Sequence, residues 1–232
     1  MLTVQNIAIA FVGGMLPALL WLWFWLHEDR HPEPKKFIAL SFLGGMLSVP
    51  LVIPFEHYAQ TWLPAGILIV LAWAAIEEFT KFQAMHIIDL HRKVFDEPMD
   101  AVIYMITVAL GFAALENTFF LLDPLVGGSL SHTILTGNLR FLGASLLHVL
   151  TSATVGVFIA LSFYKPHVIR LLYLTVGLIL AISLHTLFNF LIIRSNGGQT
   201  LSVFVGVWVG IIFLFIILER IKRIKAPRTL LH

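Results

Sequence analysis

The chain is 232 residues long, 59% of its residues are hydrophobic, and its formal net charge is only +2. This composition is far more apolar than that of a soluble domain. The sequence contains no cysteine, which excludes a disulfide framework, a thiolate metal site and a cysteine nucleophile. Several runs of about 20 apolar residues are each long enough to cross a bilayer. They predict an all-α fold, a polytopic membrane bundle of helices.

Seven membrane helices are predicted in chain order, separated by breaks that carry charged residues, proline or glycine. Nothing between them is long enough to fold as a soluble unit, so residues 1–232 are expected to form one integral-membrane domain with a basic cytoplasmic tail at 220–232. The longest break, 123–138, is rich in Gly and Ser, and its length makes it a candidate gate. The helices are predicted at roughly 4–26, 36–56, 64–88, 98–122, 139–163, 168–193 and 199–219.

Lysine and arginine are distributed asymmetrically along the chain, and this asymmetry predicts the orientation of the bundle. With the N-terminus outside, the outward segments carry only Arg140 and Arg194. The chain is therefore expected to be N-out and C-in. Its inward basic residues are expected to face anionic lipid rather than nucleic acid. These inward residues are Arg30, Lys35, Lys36, Arg92, Lys93, Lys165, Arg170, Arg220, Lys222, Arg223, Lys225 and Arg228.

Ionisable and polar residues interrupt four of the apolar runs. They are Glu77, Glu78 and Lys81 on the third predicted helix, Glu116 on the fourth, His148 on the fifth, and His185 and Asn189 on the sixth. Such side chains are costly in a bilayer and seldom persist without a partner or a task. Counting residues from the predicted helix ends places Glu116, His148 and His185 roughly 9–14 Å beneath the outer surface, and Glu77 somewhat deeper. The four helices are therefore expected to build one polar site.

One mechanism for such a site uses a divalent metal. Histidine nitrogens and carboxylate oxygens are zinc ligands, and three protein ligands with one open position are the usual catalytic arrangement. Glu116, His148 and His185 form a plausible set of this kind, which leaves Glu77 as the general base. The His-Glu-x-x-His signature of many zinc proteases is absent, so the spacing alone does not establish a metal.

A second mechanism needs no metal. Glu77 activates water directly, and His185 and Asn189, four residues apart on one helix face, stabilise the oxyanion. In both mechanisms Glu78 and Lys81 lie within about one turn of Glu77, where they orient it or balance its charge. Both mechanisms hydrolyse an amide bond.

Each motif also has a purely structural interpretation, because polar side chains often join membrane helices through hydrogen bonds. A single intramembrane histidine such as His148 is more often such a link than a metal ligand. Two functions of other classes also fit buried carboxylates and histidines. One is an ion- or proton-coupled transporter, which predicts broken helices and internal symmetry that the sequence does not clearly have. The other is a non-catalytic scaffold that binds partner helices.

Several short motifs follow one another along the chain, from the first connection to the sixth helix. They are EDRHPEP at 28–34, EEFTK at 77–81, FDEPMD at 95–100, GFAALEN at 111–117, His148, and HTLFNF at 185–190. As an ordered set they resemble the PrsW family of intramembrane proteases. The related prenyl-protein (CAAX) endopeptidases typically carry Glu-Glu-x-x-x-Arg and Phe-x-x-x-His. This chain has Lys81 and Glu116 instead, which favours the PrsW branch.

The resemblance implies a multi-pass endopeptidase of a bacterial or archaeal plasma membrane. Its substrate would be a single-pass membrane protein, such as an anti-sigma factor, cut near the extracytoplasmic side. By the same resemblance, Glu77, Glu78 and His185 occupy positions expected to be essential. The predicted depth of the site, beneath the outer surface, agrees with cleavage on the extracytoplasmic side. A prenyl-protein endopeptidase, the alternative protease, would be reached from the cytoplasmic side.

Overall fold

The structure is a computed structural model that describes residues 2–195 and 198–226. These residues form seven helices and no strand. Residues 196 and 197, between the last two predicted helices, and residues 227–232 of the predicted basic tail, which include Arg228, lie outside the described residues. The fifth helix is continuous but contains one π-helical turn at Arg140–Ala144. The helices are α1 (Val4–Leu26), α2 (Lys35–Trp62), α3 (Ile67–Ile88), α4 (Pro98–Val126), α5 (Leu130–Leu161), α6 (His167–Arg194) and α7 (Thr200–Ile221).

Six of these helices are long and apolar enough to cross a membrane, which confirms the predicted helical membrane bundle for the part of the chain described. The exception is α3, because it carries Glu77, Glu78 and Lys81 near its middle. Its 22 residues still extend about 33 Å, enough to span a hydrocarbon core. All three charged side chains are buried against other helices rather than exposed to lipid. The N-out, C-in orientation stays a prediction from the distribution of basic residues.

The predicted loop at 123–138 is wrong. The fourth helix continues to Val126 and the fifth begins at Leu130, so only a short turn separates them. Gly128 adopts a left-handed φ of 73°, a conformation that commonly ends a helix. Ser129 then caps α5 by accepting a hydrogen bond from the backbone of the third helical residue. The Gly and Ser residues are therefore helix-ending and helix-starting signals, and the turn lacks the length that made this segment a candidate gate.

The early start of α5 also corrects the depth calculated for His148. The sequence places this residue about two and a half turns below the outer end of its helix, whereas the observed helix begins about five turns before it. The depth estimate is therefore wrong for α5. His148 nevertheless reaches the other polar residues, because its level is set by the packing of α5 against α4 and α6 rather than by the position of the helix end.

The fourth helix lies at the centre of the bundle and packs against α1, α2 and α5. Where α2 and α4 cross, the approach is so close that a β-carbon on Gly45 would strike the backbone of Val108. In the same way, a β-carbon on Gly111 would strike the backbone of Phe42. Glycine permits such contact between membrane helices, because it allows the two backbones to touch. This crossing sets the position of α4. Glu116 follows about one turn after the crossing and projects into the site.

Candidate active site

Four buried residues meet inside the bundle: Glu77 and Glu78 from α3, His148 from α5 and His185 from α6. One ligand atom from each lies within 4.8 Å of those of the others. The Oε2 atom of Glu77 is 3.9 Å from Nδ1 of His148 and 3.9 Å from Nε2 of His185. The structure thus brings together residues from three helices that are far apart in the sequence. These four residues are called the core site below.

Glu78 is completely enclosed, and both of its carboxylate oxygens are occupied. Its Oε1 atom lies 2.8 Å from Nδ1 of His185, 2.9 Å from Nζ of Lys81 and 3.0 Å from Oγ1 of Thr151. Its Oε2 atom accepts a hydrogen bond of 3.1 Å from Ser152. A carboxylate can only accept, so the imidazole carries its proton on Nδ1 and leaves the lone pair on Nε2. Glu78 therefore orients His185 and is not placed to take a proton from water.

Lys81 supplies a buried positive charge beside the core site. Its ammonium group lies 3.2 Å from Oε2 of Glu77, 2.9 Å from Oε1 of Glu78 and 2.8 Å from Nδ1 of His148. It also lies 4.2 Å from the ring centroid of Phe112. Because an ammonium can only donate, Nδ1 of His148 is the acceptor in this contact. Two carboxylates and an imidazole nitrogen thus already surround a cation.

Glu116 lies at the edge of the site and not in the core site. Its Oε2 atom is 3.1 Å from Nε2 of His148, on the opposite edge of the imidazole from the Nδ1 atom that faces Glu77. Its other partner is Arg140, which bonds both Glu116 and Asn117. Glu116 therefore holds His148 in place by accepting the proton of Nε2. The structure does not bring it together with His185 as the sequence suggested.

The sequence reasoning missed Arg140, which it assigned only to an outward segment. This arginine lies in the π-helical turn of α5, and its guanidinium is 3.8 Å from the ring centroid of Phe120. Single π-helical turns occur frequently at functional sites. The available signal was a lone arginine at the edge of an apolar run, ahead of His148. That signal is weak, because an arginine at the end of an apolar run is equally typical of a residue at the membrane surface.

A cavity of about 700 Å³ adjoins the core site and is lined by residues of α2 to α7. Glu77, Glu116, His148 and His185 face it, whereas Glu78 and Lys81 do not line it. Its wall continues past Phe120 of α4 to the ends of the helices that the sequence assigns to the extracytoplasmic side. A cavity of this size suits part of a peptide chain. The core site is thus buried within the bundle, and three of its four residues face the cavity.

Asn189 also lines the cavity, four residues after His185 on the same face of α6. It is half-buried, and its carboxamide forms no hydrogen bond with the part of the chain that the structure describes. Its N–H groups are therefore available to a bound molecule. This placement suits the oxyanion role that the sequence suggested, because such a donor has to face the reacting carbonyl.

The core site has the chemistry of a site for a divalent metal. Imidazole nitrogens and carboxylate oxygens are the donors that zinc accepts. Each histidine donates a hydrogen bond from one ring nitrogen to a carboxylate, His185 to Glu78 and His148 to Glu116. Metal-ligating histidines usually do the same with the nitrogen that does not bind the metal. The ammonium of Lys81 already stands as a cation in front of His148. The donor set and the outer carboxylates fit a metal ion, and an ion bound at Nδ1 of His148 would replace the ammonium of Lys81 there.

The chain matches the model of the PrsW family intramembrane metalloproteases over residues 33–218. It is 26% identical to Protease PrsW of Geobacillus kaustophilus (strain HTA426) over 223 residues, which are 93% of this chain and 91% of that protein. It is also 26% identical to Protease PrsW of Bacillus subtilis (strain 168) over 184 residues, covering 78% of this chain and 81% of that protein. No solved structure matches the chain.

The match extends from the first connecting loop into α7 and includes every residue of the core site. The relatives are bacterial proteases, and six described helices can cross a membrane. The chain is accordingly a protease and a multi-pass protein of the cell membrane. The resemblance seen in its motifs is confirmed, and the chain belongs to the PrsW family of intramembrane metalloproteases.

Proposed function

We propose that the chain hydrolyses a peptide bond of a membrane-anchored protein near its extracytoplasmic side, with Glu77 as the general base. The observation that carries this proposal is the position of Glu77. Of the two carboxylates in the core site, only that of Glu77 lines the cavity, and it faces both histidines at 3.9 Å. Glu78 has no free oxygen, so it serves as the positioning residue for His185.

In the proposed reaction, Glu77 takes a proton from a water molecule in the cavity as the water oxygen attacks the carbonyl carbon of the substrate. The C–N bond then breaks, and the same proton passes from Glu77 to the departing nitrogen. Lys81 balances the charge of Glu77 while it is ionised. Asn189 donates an N–H to the carbonyl oxygen as that oxygen becomes negative. These roles follow from which side chains line the cavity and which lie behind it.

The tautomer of His185 favours the metal-dependent mechanism over the metal-free one. The proton of His185 is on Nδ1, which donates a hydrogen bond to Glu78. Nε2 therefore carries a lone pair and has no proton to donate to an oxyanion. A divalent ion, zinc by ligand type, would be held by His148 and His185, which leaves Glu77 free to act as the base. When bound, the ion would supply a Lewis acid that polarises the substrate carbonyl. Glu116 would then orient His148 rather than ligate the metal.

The substrate class follows from the cavity and the predicted orientation together. The cavity extends toward the helix ends assigned to the outer side, and its walls are mainly apolar. A single-pass membrane protein that presents an extended segment from the outer leaflet fits this opening. Within that class, we propose a regulatory protein of the anti-sigma-factor type, cut on its extracytoplasmic side.

The test is cleavage of a fluorogenic single-pass substrate in proteoliposomes. Glu77→Gln and His185→Ala should each lower the rate by at least about a thousandfold without loss of the folded protein. Asp123→Asn is the matched control, because it removes an exposed carboxylate at the same end of the bundle but outside the cavity. Wild-type activity in Glu77→Gln would refute the proposed base.

The metal is tested in the same assay. A chelator should abolish cleavage, added zinc should restore it, and elemental analysis should find less zinc in His148→Ala than in the wild-type protein. Full activity in a chelated, zinc-free preparation would instead support the metal-free mechanism. Mass spectrometry of the products locates the cut, which should lie in the outer half of the substrate's membrane segment or just beyond it.

A further inference from the structure

One carboxylate in the cavity belongs to none of the networks described above. Glu56 of α2 lines the cavity and is half-buried. Its side chain forms no ion pair or hydrogen bond with any residue in 2–195 or 198–226. The other two carboxylates that line the cavity have cations beside them, Lys81 for Glu77 and Arg140 for Glu116. The cavity therefore presents one carboxylate that has no cation beside it.

Glu56 lies where α2 is joined to α3 by a hydrogen bond. The indole Nε1 of Trp73 on α3 donates a hydrogen bond of 3.3 Å to the backbone carbonyl of Glu56, which ties the two helices together at this level. Gln60 lies one turn further along α2 and lines the same cavity. Side chains on packed helices bind more specifically than side chains on loops, because their positions are set before the ligand arrives.

The wall formed by α2 changes character along its length. Val49 and Val52 line the cavity and pack against Phe112 beside the core site. Glu56 and Gln60 follow on the same face, toward the end of the helix at Trp62. The α2 wall is thus apolar near the reacting groups and polar nearer the outer opening. Glu56 lies about two turns from its outer helix end, and Glu77 about three turns from the corresponding end of α3.

The electrostatic surroundings of Glu56 favour a positively charged guest. The carboxylates of Glu77 and Glu116 line the same cavity and repel that of Glu56, whereas Lys81 and His185 act in the opposite sense. The ammonium of Lys81 is enclosed by Glu77 and Glu78 and does not contact Glu56. In a partly dehydrated cavity, a carboxylate with like charges nearby is stabilised strongly by a cation placed against it.

This inference rests on the proposed function. We propose that Glu56 is a specificity-determining residue that binds a Lys or Arg side chain of the substrate, on the extracytoplasmic side of the scissile bond. The apolar residues of the substrate lie against Val49 and Val52, while its basic side chain reaches the carboxylate one turn further out. Substrates of this enzyme are therefore membrane segments with a basic residue just outside the cleaved bond.

The test uses pairs of single-pass substrates in phosphatidylcholine nanodiscs. The two members of a pair differ only in having Lys or Gln at one position, and successive pairs move this position outward from the cut. The wild-type enzyme should show a KM about tenfold or more lower for one Lys substrate, the range expected for a charge-assisted hydrogen bond. Glu56→Gln should bring the ratio of the two KM values close to one while kcat changes little. Asp123→Asn, which removes a carboxylate outside the cavity, should keep the wild-type ratio.

A second variant distinguishes recognition from a structural effect. In Glu56→Gln, the added substitution Gln60→Glu restores a carboxylate one turn further along the same face of α2. The preference for Lys should return, with the favoured position in the substrate moved outward. A substrate preference that Glu56→Gln leaves unchanged, or that does not move in the double variant, would overturn the inference and leave the proposed protease function intact.

Binding measured in a Glu77→Gln background separates the two proposals. Preferential binding of the Lys substrate, lost on adding Glu56→Gln, would support the Glu56 site even if the wild-type chain cleaved neither substrate, in which case only the proposed function fails. Phosphatidylethanolamine supplies a competing ammonium group from lipid. If adding this lipid abolishes the preference of the wild-type protein, Glu56 takes a lipid headgroup and the assignment to substrate is overturned.

Discussion

The Nδ1 atom of His185 lies 2.8 Å from Oε1 of Glu78, although the two residues are 107 positions apart in the sequence. This hydrogen bond places the imidazole proton on Nδ1 and directs the lone pair of Nε2 toward Glu77, 3.9 Å away. Glu78 therefore contacts His185 and does not itself line the cavity. The two adjacent glutamates consequently have different surroundings, one facing the cavity and one facing the protein interior.

We expect Glu78→Gln to weaken metal binding as well as stability. The amide keeps the volume but removes the negative charge that Lys81 and His185 share. Loss of a carboxylate behind a ligating histidine typically lowers metal affinity about 10–100-fold. Breaking a buried ion pair costs about 3–5 kcal/mol. Chelator competition measures the zinc affinity, and chemical unfolding measures the stability. Unchanged zinc affinity in a destabilised variant would show that Glu78 has only a structural role.

We expect Arg140 and Glu116 to be energetically coupled. Arg140→Ala leaves Glu116 in the site without its guanidinium partner, whereas the double variant Arg140→Ala/Glu116→Gln leaves no such charge. The double variant should therefore be more stable than the sum of the two single changes predicts, with a coupling of about 1–3 kcal/mol. A double-mutant cycle on the free energy of unfolding measures this coupling. Additive effects would contradict the pairing.

We expect the crossing of α2 and α4 to be intolerant of a single methyl group. Gly111→Ala places a β-carbon against the backbone of Phe42, which cannot move aside as a side chain does. The expected loss is about 1–3 kcal/mol of unfolding free energy, as for other overpacked interiors. Gly206, within α7, is the matched control, because a β-carbon there meets nothing within 4 Å. Gly206→Ala should be neutral or stabilise by up to about 1 kcal/mol.

We expect the stability of the folded chain to depend on pH through Asp89, which follows α3 at its predicted cytoplasmic end. Burial raises the pKa of Asp89 to about 7, against the opposing effect of the hydrogen bond from Ser41. The folded-state pKa is thus above the ordinary value of 3.8, so the folded state favours the protonated form. Stability should therefore fall as the pH rises from about 4 through about 7.

Asp89→Asn tests this pH dependence, because asparagine keeps an oxygen that accepts the hydrogen bond from Ser41 but carries no charge. The variant should be more stable than the wild-type protein at pH 8, and the difference should shrink toward pH 5. Thermal unfolding across this range provides the measurement. A constant difference at every pH would mean that Asp89 does not titrate between these values.

The sequence by itself determined the class of protein and the residue types of the site. Apolar runs long enough to cross a bilayer must become helices, because a backbone in lipid has to satisfy its own hydrogen bonds. Charged residues placed within such runs indicate a site, because each is costly unless it has a partner. These are local properties, so Glu77, Glu78, Lys81, His148 and His185 could be predicted as site residues from the sequence alone.

Only the tertiary structure decided which atoms meet. A helix that is apolar on every side has no face that the sequence marks as inward, so the rotation of each helix comes from packing. That rotation turns Glu77 into the cavity and Glu78 away from it, and it pairs Glu116 with Arg140 rather than with His185. It also brings Glu56 to the cavity wall, since the glycines at the crossing of α2 and α4 hold those two helices in contact. Close packing between helices is a property of residue pairs far apart in the chain, and no single segment contains it.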